Sequence, residues 1–145
     1  MAKIKGSIFI EQPVDVVFDE VSDLRNEPSY NPNMISADLK TEEPIGEGSE
    51  FYAKVKSRND TMDMKITYTE FRKSEYIGSC STSNNMEVNG GLTFSSIDNG
   101  TLLEWNWDVR LNGNLKLFAP LVSMMGKRQE YEIWQGLKEK LEKSN

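Results

Sequence analysis

From Met34 to Leu111 the chain reads at a period of two almost without a break, and a single long run at a period near 3.6 follows. This pairing constrains the fold more than any one motif. Strands are expected at 34–41, 49–57, 61–71, 75–82, 86–97 and 101–111. Turn signals separate them: "EEPIGEGS" between the first two, and "DNG" at 98–100, where Asn-Gly accepts positive φ. Gly90 and Gly91, inside a strand, suggest a bulge or sharp bend. Strands joined by short connections pair antiparallel, and their apolar face needs cover. The helix expected over 115–142 supplies it, with Phe118, Val122, Met125, Gln129, Ile133, Leu137 and Leu141 recurring every three or four residues. Pro120 should start its regular part or kink it.

The first forty residues add a strand at 3–11, with Ile4, Ile8 and Ile10 on one face. Pro13 suits the first turn of a helix over 13–21, whose Val14, Val17, Phe18 and Val21 share a side. A polar stretch, "SDLRNEPSYNPNM" at 22–34, follows, with a short second helix near 25–30. Strand, two short helices, six strands and a long helix make an α+β domain spanning 1–145.

Alternation sorts the side chains of the sheet. One face collects Phe51, Ala53, Val55, Met62, Met64, Ile66 and Tyr68, then Tyr76, Gly78 and Cys80. It continues through Met86, Val88, Leu92 and Phe94 to Leu103, Trp105, Trp107, Val109 and Leu111. The other face carries Lys54, Lys56, Asp63, Lys65, Glu104, Asp108 and Arg110. An apolar face of this kind is either a plain packed core or the wall of a cavity. Its large adaptable side chains, with Met125 from the helix, suit a deformable apolar pocket.

Composition narrows the chemistry. Seventeen Lys and Arg against 23 Asp and Glu give a net charge of −6, which disfavours nucleic acid and anionic membrane surfaces. The chain has no histidine, so the commonest general base, zinc ligand and triad partner are missing. With Cys80 the only cysteine, neither a disulfide nor a zinc or iron–sulfur site is expected, and no cofactor is implied. Cys80 itself reads as a small core residue. Acid–base work would fall to carboxylates and tyrosines. "MAKIKGSIFI" lacks a signal peptide's apolar core, and no window reaches the ~20 apolar residues of a membrane span. A cytoplasmic protein without stable membrane insertion is expected. No heptad pattern fixes an oligomeric state.

"DLRNEPSYNPNM" at 23–34 and "EEPIGEGSEF" at 42–51 resemble the START-like superfamily, also called SRPBCC or Bet v 1-like. "SIFIEQPVDVVFDEVSD" at 7–23 is similar to its opening strand and helix, "GTLLEWNWDVRLNG" at 100–113 to its last strand, and "LKEKLE" at 137–142 to its helix end. The nearest branch is the bacterial polyketide cyclase/dehydrase-type proteins. The resemblance implies a helix-grip fold, a seven-stranded antiparallel sheet wrapped around the C-terminal helix with a cavity between them. Members include lipid and hormone carriers, polyketide aromatases and cyclases, and chaperone-associated modules, so fold alone assigns no chemistry.

On this resemblance Asn26, Glu27, Tyr30 and Asn31 lie at the cavity mouth. Asp23 and Asn31 also suit helix capping and turn roles, which need neither Glu27 nor Tyr30. The cavity wall would comprise Phe51, Met62, Met64, Tyr68, Met86, Phe94, Trp105, Trp107, Phe118, Val122 and Met125. The first expected function is binding of a hydrophobic small molecule: a lipid, a polyketide-like aromatic or an isoprenoid. A cyclase or dehydratase is the alternative, with Glu27 as base and Tyr30 or Tyr68 donating to a carbonyl. The missing histidine weakens it. A third reading is a protein-interaction module, which exposed apolar residues in "LFAPLVSMM" at 117–125, together with a packed interior lacking a cavity, would mark.

Overall fold

A proline closes the first strand. In the computed structural model, which describes residues 2–57, 60–84 and 86–143, Pro13 sits at φ −57° between β1 (Ala2–Ile10) and α1 (Val14–Ser22). A 3-10 helix, Leu24–Ser29, leads into β2 (Met34–Leu39), β3 (Glu50–Ser57), β4 (Asp60–Arg72) and β5 (Tyr76–Thr82). Then come β6 (Met86–Ile97), β7 (Gly100–Leu111), a second 3-10 helix at Gly113–Phe118 and α2 (Ala119–Lys143). The expected helix start at 115 is therefore 3-10, and regular α-helix begins beside Pro120.

All seven strands form one antiparallel sheet in the order β1-β7-β6-β5-β4-β3-β2. The strands from β2 to β7 meander, while β1 lies against the last one. Valines 17 and 21 and Phe18 drive α1 onto the inner face, and Phe18 meets Phe71 and Phe94 edge-on at 5.3 and 5.0 Å. The helix α2 lies along β1, and Leu137 is fully enclosed. Gly136 lets it approach the chain closely, because a Cβ there would stand 2.3 Å from the Tyr30 carbonyl oxygen.

Four sequence expectations need correction. Tyr76, Gly78 and Cys80 face outward. Ile77 pairs with Phe71 and Ser79 with Tyr68, so Ile77, Ser79 and Ser81 hold the inner face, with a bulge in β4 between Tyr68 and Glu70. The Tyr76 ring instead covers Gly91 outside, and Cys80 reaches Glu87 at 3.9 Å. Second, Gln129 is exposed; the inward row of α2 runs Val122, Gly126, Glu130, Trp134, joined by Ile133, Leu137 and Leu141. Third, the turn's positive φ falls on Asp98, at 44°, while Gly100 pairs with Ile97 in the ladder. No register shift occurs at Gly90-Gly91 either; Gly90 adopts φ 147°, and a Cβ there would strike the Asn106 carbonyl.

Candidate functional site

The polar stretch after α1 first satisfies its own backbone. Asp23 accepts from the Arg25 N–H at 3.1 Å, capping the 3-10 helix, and its carboxylate also accepts from the Arg25 guanidinium, which reaches Glu43 as well. That guanidinium holds the Asp23 carboxyl below its usual range. The Asn26 side chain donates to the Glu20 carbonyl at 3.1 Å, an anchoring role. Asn31 accepts from the Asn33 N–H and donates to the Glu27 carboxylate at 2.7 Å. The turn thereby fixes Glu27.

With three residues per 3-10 turn, Glu27 and Tyr30 come to one side, against α2. Tyr30 is 5% exposed, and its ring lies 6.2 Å from that of Trp134. Trp134 in turn lies 6.2 Å from Trp105. One oxygen of Glu130 accepts from the indole N–H of Trp107 at 2.6 Å and of Trp134 at 3.3 Å. The site thus joins the 3-10 helix, β7 and α2.

Two carboxyls sit in this largely aromatic setting. Burial, opposed by the Asn31 hydrogen bond and reinforced by Glu130, raises the Glu27 pKa from 4.5 to about 7. Burial also raises Glu130, against the two indole hydrogen bonds. Desolvation, then the nearby Glu27 charge, pushes the hydroxyls of Tyr30 and Tyr68 well above their ordinary value. The Tyr68 hydroxyl already donates to the Ser22 carbonyl at 2.7 Å. The Tyr30 hydroxyl and the Trp105 indole N–H are buried without a partner. Unsatisfied buried donors are rare and costly.

The remaining expected site residues separate into two groups. Phe51, Tyr68, Phe94 and Trp105 are buried in the core. Met62, Met64, Met86 and Trp107 face inward by register yet stay partly exposed, and so does Val122. Phe118 and Met125, expected as wall, stand 51% and 55% exposed, beside Leu117 at 82% and Met124 at 68%. A hollow of about 360 Å³ opens here, lined by Val109, Arg110, Leu111, Asn112, Lys116 and Ala119. A second, of about 420 Å³, lies near Lys5, Thr93, Glu104 and Trp105.

Glu130 and Trp134 went unnoticed in the sequence. Their signal was the four-residue row from Val122 to Trp134, obscured by the charged neighbours of Glu130. Among the described residues no group of three His, Cys, Asp or Glu could hold a metal ion. No helix among them is long and apolar enough to cross a membrane.

The fold is similar to that of solved structures of low sequence identity. A START superfamily protein from Mycobacterium smegmatis superposes with a TM-score of 0.87 at 13% identity, each chain fully covered. The Zhui aromatase/cyclase from Streptomyces sp. R1128 gives 0.78 at 12%, covering 97% of this chain and 93% of that one. Ara h 8.0201 gives 0.77 at 13%, covering 99% and 98%. These likenesses show the helix-grip fold. No curated protein matches the sequence. A family model does, over residues 1–142, and the chain therefore belongs to the polyketide cyclase / dehydrase and lipid transport family.

Proposed function

We propose that this protein binds a hydrophobic small molecule between the inner face of the sheet and the first half of α2. The observation that carries this reading is apolar surface left uncovered on both sides of one gap. Met62, Met64, Met86 and Trp107 stay partly exposed on the sheet, Val122 stays partly exposed on the inward row of α2, and Phe118 and Met125 face solvent beside it. Methionine and aromatic side chains make such a wall adaptable. Phe51 and Phe94 form its packed floor. Glu27, Tyr30 and Trp105 supply the polar contacts, with Asn26 holding their loop in place. The hollow of about 360 Å³ is of the size that small ligands occupy. A lipid, a polyketide-like aromatic or an isoprenoid would fit this chemistry.

One observation supports catalysis as a second reading. Glu27, with a pKa of about 7, has the affinity expected of a general base at neutral pH, and Tyr30 keeps an uncommitted hydroxyl. In a cyclase or dehydratase Glu27 would take a proton from the carbon beside a carbonyl, while Tyr30 donates a hydrogen bond to that carbonyl's oxygen.

Native mass spectrometry of freshly purified protein, with a denatured control and solvent extraction, tests the first reading. We expect a stoichiometric extra mass that denaturation releases. A clean apo mass, together with no binding of an apolar fluorescent probe, would discard it in favour of partner recognition. Glu27→Gln tests the second reading: turnover of a polyketide-like substrate should vanish while probe binding persists.

A further inference from the structure

We propose that the polar end of this binding region is built for a cation, so that its ligand is an apolar molecule carrying a protonated amine held between Glu27 and Glu130. This deepens the container reading and rests on it. Both carboxylates are set as acceptors. Asn31 donates to one oxygen of Glu27, and two indole N–H groups donate to a single oxygen of Glu130. Donors aimed at carboxyl oxygens favour their charged forms. Yet among the described residues neither carboxylate forms an ion pair. Burial and the neighbouring Glu130 hold Glu27 towards its neutral form, and burial does the same to Glu130, an arrangement that a bound cation would reverse.

A second observation points the same way. The Tyr30 hydroxyl, on a residue 95% enclosed, has no hydrogen-bond partner, and of all the charges acting on it Glu27's is the strongest. An ammonium has three N–H donors and no acceptor. Glu27, Glu130 and the Tyr30 oxygen offer it three acceptors. Lys140 already lies over the Tyr30 ring at 5.9 Å, and the ring of Trp134, 6.2 Å from that of Tyr30, adds a further face that attracts a desolvated cation. A carboxylate ligand would meet two further acids there.

Three probes of equal chain length separate the possibilities: decylamine, decanol and decanoate. Their binding at neutral pH is followed by tryptophan emission, since Trp107 and Trp134 both contact Glu130. We expect decylamine to bind at least tenfold more tightly than decanol, and decanoate most weakly. Glu27→Gln and Glu130→Gln should each reduce the amine's advantage about tenfold or more, while Glu47→Gln, at an exposed acid, should leave it unchanged. Circular dichroism checks folding; should Glu130→Gln unfold, Glu27→Gln decides. Equal binding of the three probes would overturn the cation site and leave the container standing. An amine preference that survives Glu27→Gln would also overturn it, reducing the effect to net charge. If no probe bound, the container reading itself would fall, and this inference with it.

Discussion

The two halves of α2 have opposite characters. From Glu130 to Leu141 the helix is sealed: Ile133, Trp134, Leu137 and Leu141 are buried, and Gly136 presses on the Tyr30 backbone. From Leu117, in the 3-10 turn that leads into it, to Met125, large apolar side chains face solvent, over a sheet that is itself incompletely covered. Both stretches are hydrophobic and continuous in sequence. Apolar composition therefore marks two different environments: the second half holds the fold, and the first half leaves apolar surface uncovered.

The comparison breaks most sharply at Leu137. Leu137→Ala should cost about 2–5 kcal/mol in urea unfolding, since the side chain is fully enclosed and leaves a cavity. If it cost no more than an exposed site, the sealed half would not be holding the fold. The two glycines of the helix give the next largest difference. Gly136→Ala brings a Cβ to 2.3 Å from a backbone oxygen, so about 1–3 kcal/mol should be lost despite the better helix propensity of alanine. Gly126→Ala meets only the side chain of Ile4, its Cδ1 at 2.3 Å and its Cγ1 at 3.2 Å, and should fall within about 1 kcal/mol of neutral.

Acidity supplies the third test, at the junction of the two halves. Glu27 titrates near 4.5 unfolded and at about 7 folded. Across that window the folded state keeps a proton that the unfolded state loses, so stability falls as pH rises and levels off above 7. The groups facing Glu27 are Asn31, Tyr30, Tyr68 and Glu130. Glu27→Gln should remove about 1–3 kcal/mol of this decline, measured as unfolding free energy at pH 5 and pH 8. A variant curve parallel to the wild type would place the carboxyl in water. The smallest effect belongs to the exposed half. Leu121→Ser should change stability by about 0.5 kcal/mol or less while weakening apolar-probe binding.

Element order was legible because each strand alternates cleanly and the turn residues punctuate them. Where the reading failed, small residues were responsible. In β5 the pattern Tyr76, Gly78, Cys80 looks more apolar than Ile77, Ser79, Ser81, yet the serines face inward opposite large side chains such as Tyr68. Size complementarity across a sheet is a property of pairs, and a single strand does not display it. The candidate site divides in the same way. Glu27 and Tyr30 stood out because helix capping had no use for them. Glu130 did not, because an acid within "GKRQEYE" reads as a solvated face until Trp107, 23 residues away, is seen to donate to it.

The position of β1 has a consequence for how the chain acquires this structure. As an edge strand whose only strand partner is β7, it pairs Ile10 with Thr101 and Ala2 with Val109, across separations of roughly a hundred residues. During synthesis β1 leaves the ribosome first and waits for the last strand before it can form a ladder. Closing so long a loop is slow and entropically costly. Meanwhile Ile4, Ile8 and Ile10 lack both their strand partner and the α2 helix that covers them. The nascent chain is thus most open to misassociation at its own first strand, until nearly all of the sequence has emerged.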